Sequence, residues 1–197
     1  MRDLIRRAAV AAGATALMLG ASAGAAAAST GAPASHLCWA NNQAGTIVEA
    51  NLNGTSAHII ASGQHGPRGV AVGASHLYWA DEAAGTIVEA GLNGTSAHTI
   101  ASGQAQPLGV AVDASHLYWA NFNAGTIVEA NLDGTGAKTI ASGKGSPHGV
   151  AVDASHLYWA NQITSPVGTI NEANLDGTGA KVIASRQNGP SGVAVGP

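Results

Sequence analysis

Short apolar runs separated by polar turn residues recur along the chain from residue 35 onward. Each unit of 40 residues holds four runs: Gly-Val-Ala-Val, His-Leu-Tyr-Trp-Ala, Thr-Ile-Val-Glu-Ala-Asn-Leu and a run such as 137–141. β-Branched and aromatic residues are concentrated in these runs, which favours strands. A helical repeat would need runs of about ten residues without turn signals, and the chain has none. The pattern therefore predicts four short strands in each unit, which we name a, b, c and d in this order.

Turn signals lie between the predicted strands. Asn93-Gly94 and Asp133-Gly134 are dipeptides typical of β-hairpins. Proline would interrupt a helix before strand a of each unit, and it stands at Pro67, Pro107, Pro147 and Pro190. Four antiparallel strands in a repeat of about 40 to 50 residues are typical of one β-propeller blade. A parallel β-solenoid is the alternative, although its rungs are usually shorter.

The strand count predicts how the series of blades ends. The four units span about 35–74, 75–114, 115–154 and 155–197, and three inserted residues near 165–167 lengthen the last one. The first unit begins with strand b, whereas an additional strand a stands at 192–195. We expect this C-terminal strand to complete the first blade, because a closed ring exposes no sheet edge. The prediction is an all-β fold, a β-propeller of four four-stranded blades.

The N-terminal residues differ from the repeats. Three arginines at positions 2, 6 and 7 precede an apolar stretch at 8–20 and small residues at 21–28. This order predicts a secretory signal peptide at 1–28, a short linker at 29–34, and a secreted, extracellular protein. A retained membrane anchor is the alternative, but the Ala- and Gly-rich stretch is only weakly apolar. The adjacent arginines leave twin-arginine export open.

Charge and cysteine content exclude several classes of protein. Among 197 residues, 10% are charged and the net charge is -3. Removal of residues 1–28 takes away three Arg and one Asp, which leaves five basic residues, ten acidic residues and a net charge of -5. This balance disfavours binding to nucleic acid. Because Cys38 is the single cysteine, neither an intramolecular disulfide nor a cysteine-based zinc cluster is expected.

Three motifs in fixed order resemble a known repeat family. The segments 77–81 (Leu-Tyr-Trp-Ala-Asp), 130–135 (Ala-Asn-Leu-Asp-Gly-Thr) and 147–153 (Pro-His-Gly-Val-Ala-Val-Asp) look like the YWTD repeats of low-density lipoprotein receptor class B modules. NHL repeats are a looser relative. The resemblance covers about residues 35–197. It implies a propeller that serves as a binding scaffold, typically extracellular, and it does not imply catalysis.

The chain departs from the family pattern in two respects. The Thr-Asp pair of the motif is Ala-Asn at 40–41, 120–121 and 160–161, and Ala-Asp at 80–81, while Cys38 replaces the tyrosine of the other units. Such families usually have six blades, whereas this chain encodes four. Either four blades close a small ring, or chains associate as a homo-oligomer to complete a larger one.

Residues that recur in every unit are expected to be structural. The four tryptophans, Trp39, Trp79, Trp119 and Trp159, are interpreted as packing between blades rather than as ligand platforms. The four histidines, His36, His76, His116 and His156, are expected at the blade rim. There they would be too far apart to share a metal ion. No metal, cofactor or catalytic residue is predicted.

Variable positions indicate where a ligand could bind. The d-to-a and b-to-c loops are expected on one face around the channel mouth, with Arg68, Leu108, His148 and Ser191 facing the axis. Variable loops on a rigid scaffold are typical of binding sites, although drifted solvent loops would vary as well. The candidate ligand-binding residues are His65, Arg68, Glu82, Leu108, Phe122, Lys144, His148, Gln162 and Ser191.

Three functions are consistent with this sequence. The favoured one is a secreted, non-enzymatic binding module for a protein, small-molecule or carbohydrate ligand, without stable membrane insertion after cleavage. The second is a lactonase- or lyase-like enzyme, for which Glu82 and His148 offer an acid–base pair. The axis-facing set holds no carboxylate, which disfavours a calcium-dependent hydrolase. The third is a structural cassette that assembles between chains.

Overall fold

A computed structural model describes residues 36–143, 145–162 and 167–196. All regular elements in these ranges are β-strands, which confirms the all-β prediction. The predicted signal peptide, the linker and most of the insertion near 165–167 lie outside the described residues. No helix in the described part of the chain has the length and apolar character needed to cross a membrane.

The strands form four antiparallel sheets, which we call blades 1 to 4. Blades 2 to 4 each combine strand a of one sequence unit with strands b, c and d of the next unit. Blade 1 contains β1 (His36–Asn41), β2 (Thr46–Asn51) and β3 (His58–Ala61). Blade 2 contains β4 (Pro67–Val72), β5 (His76–Asp81), β6 (Thr86–Gly91) and β7 (His98–Ala101). Blade 3 contains β8 (Pro107–Val112), β9 (His116–Asn121), β10 (Thr126–Asn131) and β11 (Lys138–Ala141). Blade 4 contains β12 (Pro147–Val152), β13 (His156–Asn161), β14 (Gly168–Asn174) and β15 (Lys181–Gln187).

Hairpin turns fix the register inside each blade. In the turn after β6, Gly94 has a φ of 79°, a backbone conformation that glycine adopts without steric cost. The Asn93 side chain accepts hydrogen bonds from the Thr95 amide at 3.2 Å and from the Thr95 hydroxyl at 2.6 Å. In blade 2, strand a (β4) pairs with strand b (β5) in antiparallel register, and Val70 lies opposite Trp79. The predicted turn signals therefore mark the turns of the fold.

The repeated tryptophans pack against the preceding blade. Trp119 of blade 3 is fully buried and shares a cluster with Tyr78, Ala80 and Ile87 of blade 2. Trp79 packs in the same way on Ile47 of blade 1. The indole of Trp119 also donates a hydrogen bond to Gln104 at 2.8 Å. This arrangement confirms the interpretation as packing between blades for Trp79, Trp119 and Trp159, each of which buries a large apolar area. Trp39 on blade 1 is only partly buried.

The prediction that the C-terminal run closes the first blade is wrong for this structure. Blade 1 has three strands rather than four, and residues 190–196 form no strand. A Cβ on Gly149 of β12 would lie 2.7 Å from the carbonyl oxygen of Ser191. Gly109 approaches the carbonyl of His148 in the same manner. The C-terminal run therefore continues the series beyond blade 4, because its backbone fits closely against the glycine of the last inner strand.

Candidate functional site

The b-to-c and d-to-a loops lie on one face of the blades, which we call the loop face. Backbone hydrogen bonds join each d-to-a loop to the b-to-c loop that follows it. The amide of Glu82 donates to the carbonyl of Gly66 at 3.0 Å, and the amide of Phe122 donates to the carbonyl of Gln106 at 3.0 Å. Ser146 accepts in the same way from Gln162 at 2.9 Å. The variable side chains of these loops are thus held by a repeated backbone frame.

Glu82 is the centre of a charged network on this face. Its Oε2 accepts a hydrogen bond from Arg68 Nε at 2.5 Å, and its Oε1 accepts one from the side-chain amide of Gln106. The Arg68 side chain is 33% exposed and that of Glu82 is 16% exposed. Burial raises the pKa of Glu82, but the hydrogen bonds from Gln106 and Arg68 and the Arg68 charge outweigh it and hold the pKa below its ordinary value. Glu82 is therefore ionised at neutral pH and engaged through both oxygens.

His148 and Phe122 form a second group beside this network. Their ring centroids are 4.9 Å apart in an edge-to-face arrangement with an interplanar angle of 81°. Burial lowers the pKa of His148, and the Arg68 charge acts in the same direction, against a hydrogen bond with Gln162 and the charge of Glu82. His148 Nε2 is buried and has no hydrogen-bond partner among the described residues. A neutral imidazole with an unsatisfied nitrogen is suited to a polar ligand or a water molecule.

A shallow groove of about 630 Å³ runs beside Glu82 between the first three blades. Its walls are largely polar, and they include Asn42, Gln104, Gln106 and Asn123. Amides and a carboxylate can donate to and accept from a polar ligand, so this groove extends the surface that the charged network offers.

Asp81 lies beneath the loop face. Its side chain is buried, and its Oδ2 accepts a weak hydrogen bond from the His65 amide at 3.4 Å. Oδ1 has no partner among the described residues. Burial raises the pKa of Asp81 above its ordinary value. The corresponding Asn121 instead donates to Gln104 at 3.0 Å, so the acid distinguishes blade 2 from blade 3.

The structure brings together some of the candidate residues and not others. Arg68 contacts Glu82 directly, and His148 contacts Phe122 and Gln162. Leu108 is buried on β8, whereas the side chain of His65 is exposed. Ser191 is exposed and its backbone lies against blade 4. Lys144 lies outside the described residues.

Gln106 was missed by sequence reasoning. It precedes Pro107, at a position where unit 1 has Gly66, and its φ is 57°. A side chain at a position that favours glycine is uncommon. The replacement of the glycine of unit 1 by Gln106 is therefore the sequence signal that could have identified this residue. The Gln106 side chain donates a hydrogen bond to Glu82.

A glutamate on strand c of each blade, buried in blades 2 and 3 and partly buried in blades 1 and 4, forms a cluster that the sequence pattern did not indicate. In blade 2, Glu89 lies 3.4 Å from His76 and 3.5 Å from His98. In blade 3, the second histidine is replaced by Lys138, which lies 3.3 Å from Glu129. In the described part of the chain, no group of three or more His, Cys, Asp or Glu side chains could hold a metal ion. The recurring histidines thus pair with a carboxylate of their own blade.

Comparisons with known proteins match solved structures only. No family model and no curated protein matches the chain. A nidogen/laminin complex aligns with a TM-score of 0.74 and 24% identity, over 82% of this chain and 64% of that chain. A streptogramin B lyase aligns with a TM-score of 0.63 and 14% identity, over 81% and 55%. A gluconolactonase from Xanthomonas campestris aligns with a TM-score of 0.63 and 17% identity, over 82% and 63%.

These similarities establish the fold. The chain spans less than two thirds of the length of each of these solved chains. The propeller of the nidogen/laminin complex is of the YWTD type, which confirms the resemblance read from the repeat motifs. The four repeated sheets of this chain have the fold of a β-propeller.

Proposed function

We propose that this protein is an exported, non-enzymatic binding module whose ligand contacts the loop face around Arg68, Glu82 and His148. The observation that carries the proposal is the network that joins Arg68, Glu82 and Gln106 beside the His148–Phe122 pair. Equivalent positions in the other units hold different side chains on the same backbone frame. Side-chain variation on a constant frame is the pattern of a recognition surface.

The residue types favour a protein ligand with polar and aromatic groups. Arg68 is a third exposed and can bind a carboxylate or carbonyl while it remains near Glu82. Phe122 and His148 offer ring faces and an unpaired nitrogen. The nidogen neighbour is a complex with laminin, and this supports a protein as partner. The basic and apolar start of the chain supports export.

Selection of peptides from a random display library tests this proposal. The purified protein is the bait, and each selected peptide is then measured against Arg68→Ala, His148→Ala and a control, Ile59→Ser. Ile59 is 59% exposed on β3 and does not belong to the loop face. We expect the two loop-face variants to weaken binding about tenfold or more, as for central interface residues, and the control to leave it unchanged. Peptides that bind all variants equally would place the site elsewhere.

A second candidate function is a lyase- or lactonase-like activity, because two of the matched structures carry those names. Glu82 is ionised and held by two donors, so His148 is the better proton acceptor of the pair. Gluconolactone hydrolysis by the wild type, compared with His148→Ala, tests this activity. A rate above the uncatalysed reaction that is lost in His148→Ala would support it. A rate equal to the uncatalysed one would remove it.

A further inference from the structure

The two ends of the blade series expose residues that are buried between blades. Leu37 on β1 is 49% exposed, whereas its counterparts Leu77, Leu117 and Leu157 are 0% exposed. Trp39 is only partly buried, in contrast to the other three tryptophans. Each internal blade covers these positions of the blade that follows it. The outer face of blade 1 is therefore shaped to receive a preceding blade.

The outer face of blade 4 carries the complementary features. The turn glycines Gly94, Gly134 and Gly177 lie against the carbonyls of Ile60, Ile100 and Ile140 in the preceding blade. The equivalent Gly54 of blade 1 has nothing within 4 Å of the position of a Cβ. The equivalent isoleucine of blade 4, Ile183, is 48% exposed. The glycine-to-isoleucine contact therefore recurs at all three internal interfaces. Its glycine is uncovered on blade 1, at Gly54, and its isoleucine is exposed on blade 4, at Ile183.

The free edge of β1 and the strand-like sequence at 192–195 are both unpaired among the described residues. Among the described residues, β1 pairs with β2 on one side and has no strand on the other. The Gly-Val-Ala-Val sequence at 192–195 is that of β4, β8 and β12, each of which pairs with the strand equivalent to β1. Residues 192–195 form no strand, and Val195 is 38% exposed.

We propose that copies of this chain associate head to tail. Residues 192–195 of one copy add as the missing fourth strand to β1 of a second copy, and blade 4 of the first packs on blade 1 of the second. The register of β4 with β5 places Val193 opposite Trp39, Ala194 opposite Cys38 and Val195 opposite Leu37. This interface continues the three internal ones and removes two exposed edges. It does not depend on the ligand site of the loop face.

The number of blades points to a ring of two copies. A head-to-tail interface joins different surfaces, so it produces a ring where the rotation closes. Two copies supply eight blades, which lies within the usual range of about four to eight, whereas three would supply twelve. On this count of the described blades, the assembly that the proposal predicts is a cyclic dimer.

A disulfide between Cys38 and an introduced cysteine tests the register. Opposed Cα atoms in an antiparallel pair are about 4.5 to 5.5 Å apart, which a disulfide can span. Burial and Glu49 raise the pKa of Cys38 to about 11, so little thiolate is present at neutral pH, and diamide is added as the oxidant to speed the reaction. We expect Ala194→Cys to give a covalent dimer on non-reducing gels. The controls are Val195→Cys, whose side chain faces the other way, and Ala194→Cys with Cys38→Ser.

Each outcome of this experiment has a defined meaning. A covalent dimer in Ala194→Cys and not in the controls supports the proposal. A disulfide within one chain, detected as a faster monomer band, would show that the strand returns to its own blade 1 and would overturn it. If Ala194→Cys keeps both free thiols and forms neither disulfide, or if all variants form dimers, the proposal is also overturned. Circular dichroism confirms that each variant is folded.

Light scattering after gel filtration tests the assembly without new cysteines. We expect the wild type to have twice the mass of one chain and Leu37→Lys to have the mass of a single chain. Ile59→Lys is the matched control, since Ile59 corresponds to the exposed positions of Thr99 and Thr139. A monomeric wild type at all concentrations, or a Leu37→Lys variant that remains dimeric, would overturn the proposal.

Discussion

Arg68 donates its Nε hydrogen to Oε2 of Glu82 at 2.5 Å, across the inner part of blade 2. The two residues are 14 positions apart, one on β4 and the other just after β5. A charged hydrogen bond of this kind fixes the carboxylate in one orientation. The remaining oxygen is held by Gln106 of the next d-to-a loop, so the network ties blade 2 to blade 3.

The first prediction concerns the pH dependence of this pair. The pKa of Glu82 lies below the ordinary value of 4.5, so its charge stabilises the fold above that value. The contribution is lost as the pH falls through the lower pKa of the folded protein. We expect Glu82→Gln to lower the free energy of unfolding at pH 7 by about 1 kcal/mol. Urea unfolding of both proteins, at pH 7 and in strong acid, measures the difference, which should vanish in acid. An equal loss at both pH values would contradict the prediction.

The second prediction compares two tryptophans in equivalent positions. Trp119 is fully buried between blades 2 and 3, whereas Trp39 is only partly buried. Trp119→Ala should cost about 3 to 5 kcal/mol of unfolding free energy, as for large-to-small core substitutions. Trp39→Ala should cost clearly less in dilute protein. Denaturant titration monitored by circular dichroism gives both values. Equal losses would show that Trp39 is as deeply packed as Trp119.

The third prediction concerns the a-to-b turn. In blade 3, Asp113 accepts hydrogen bonds from the amides of Ser115 and His116 at 2.7 Å and from the Tyr118 hydroxyl at 3.0 Å. Blade 2 has Gly73 at this position, with a φ outside the left-handed region. Gly73→Asp should therefore raise the midpoint of thermal unfolding, with a gain of about 1 kcal/mol. The reverse change, Asp113→Gly, is the control and should lower it. A fall in both variants would mean that the turn of blade 2 cannot accept the side chain.

The fourth prediction transfers a residue from one blade to another. His98 lies 3.5 Å from the buried Glu89, and the equivalent Lys138 lies 3.3 Å from Glu129. His98→Lys places a permanent cation beside the carboxylate, so we expect a gain of about 0.2 to 1 kcal/mol at pH 7. Added salt should reduce this gain, because it screens exposed charges. Unfolding measured at low and high salt checks both statements, and a gain that salt does not affect would point to packing instead.

The repeat made most of the fold predictable. Asn93-Gly94 marked a hairpin, and Gly94 has the positive φ that such a turn requires. The strands followed from β-branched residues between turns, since local propensity and pattern agree in each unit. The fate of 192–195 could not be predicted, because its sequence is the same whether it pairs with β1 or continues the series. Packing on Gly149 occurs in both cases, and the two are distinguished by the absence of pairing with β1 among the described residues.

The candidate site was predicted in outline but not in its contacts. Arg68 and Glu82 were selected because they vary between units, and the structure shows that they bond to each other. Variation indicates which positions are free to change, but it does not indicate which side chains can reach one another. Gln106 was therefore absent from the candidate set, although its reach to Glu82 joins two blades.

The direction of tryptophan packing has a consequence for how such a chain can evolve. The indoles of Trp79, Trp119 and Trp159 each pack on the preceding blade, so the two faces of a blade present different surfaces. Duplication or loss of a whole unit joins the same two kinds of surface and leaves every remaining interface intact. The protein can therefore gain or lose units of 40 residues while each intermediate length still folds. Single substitutions at loop positions such as Arg68 can change recognition independently of this length.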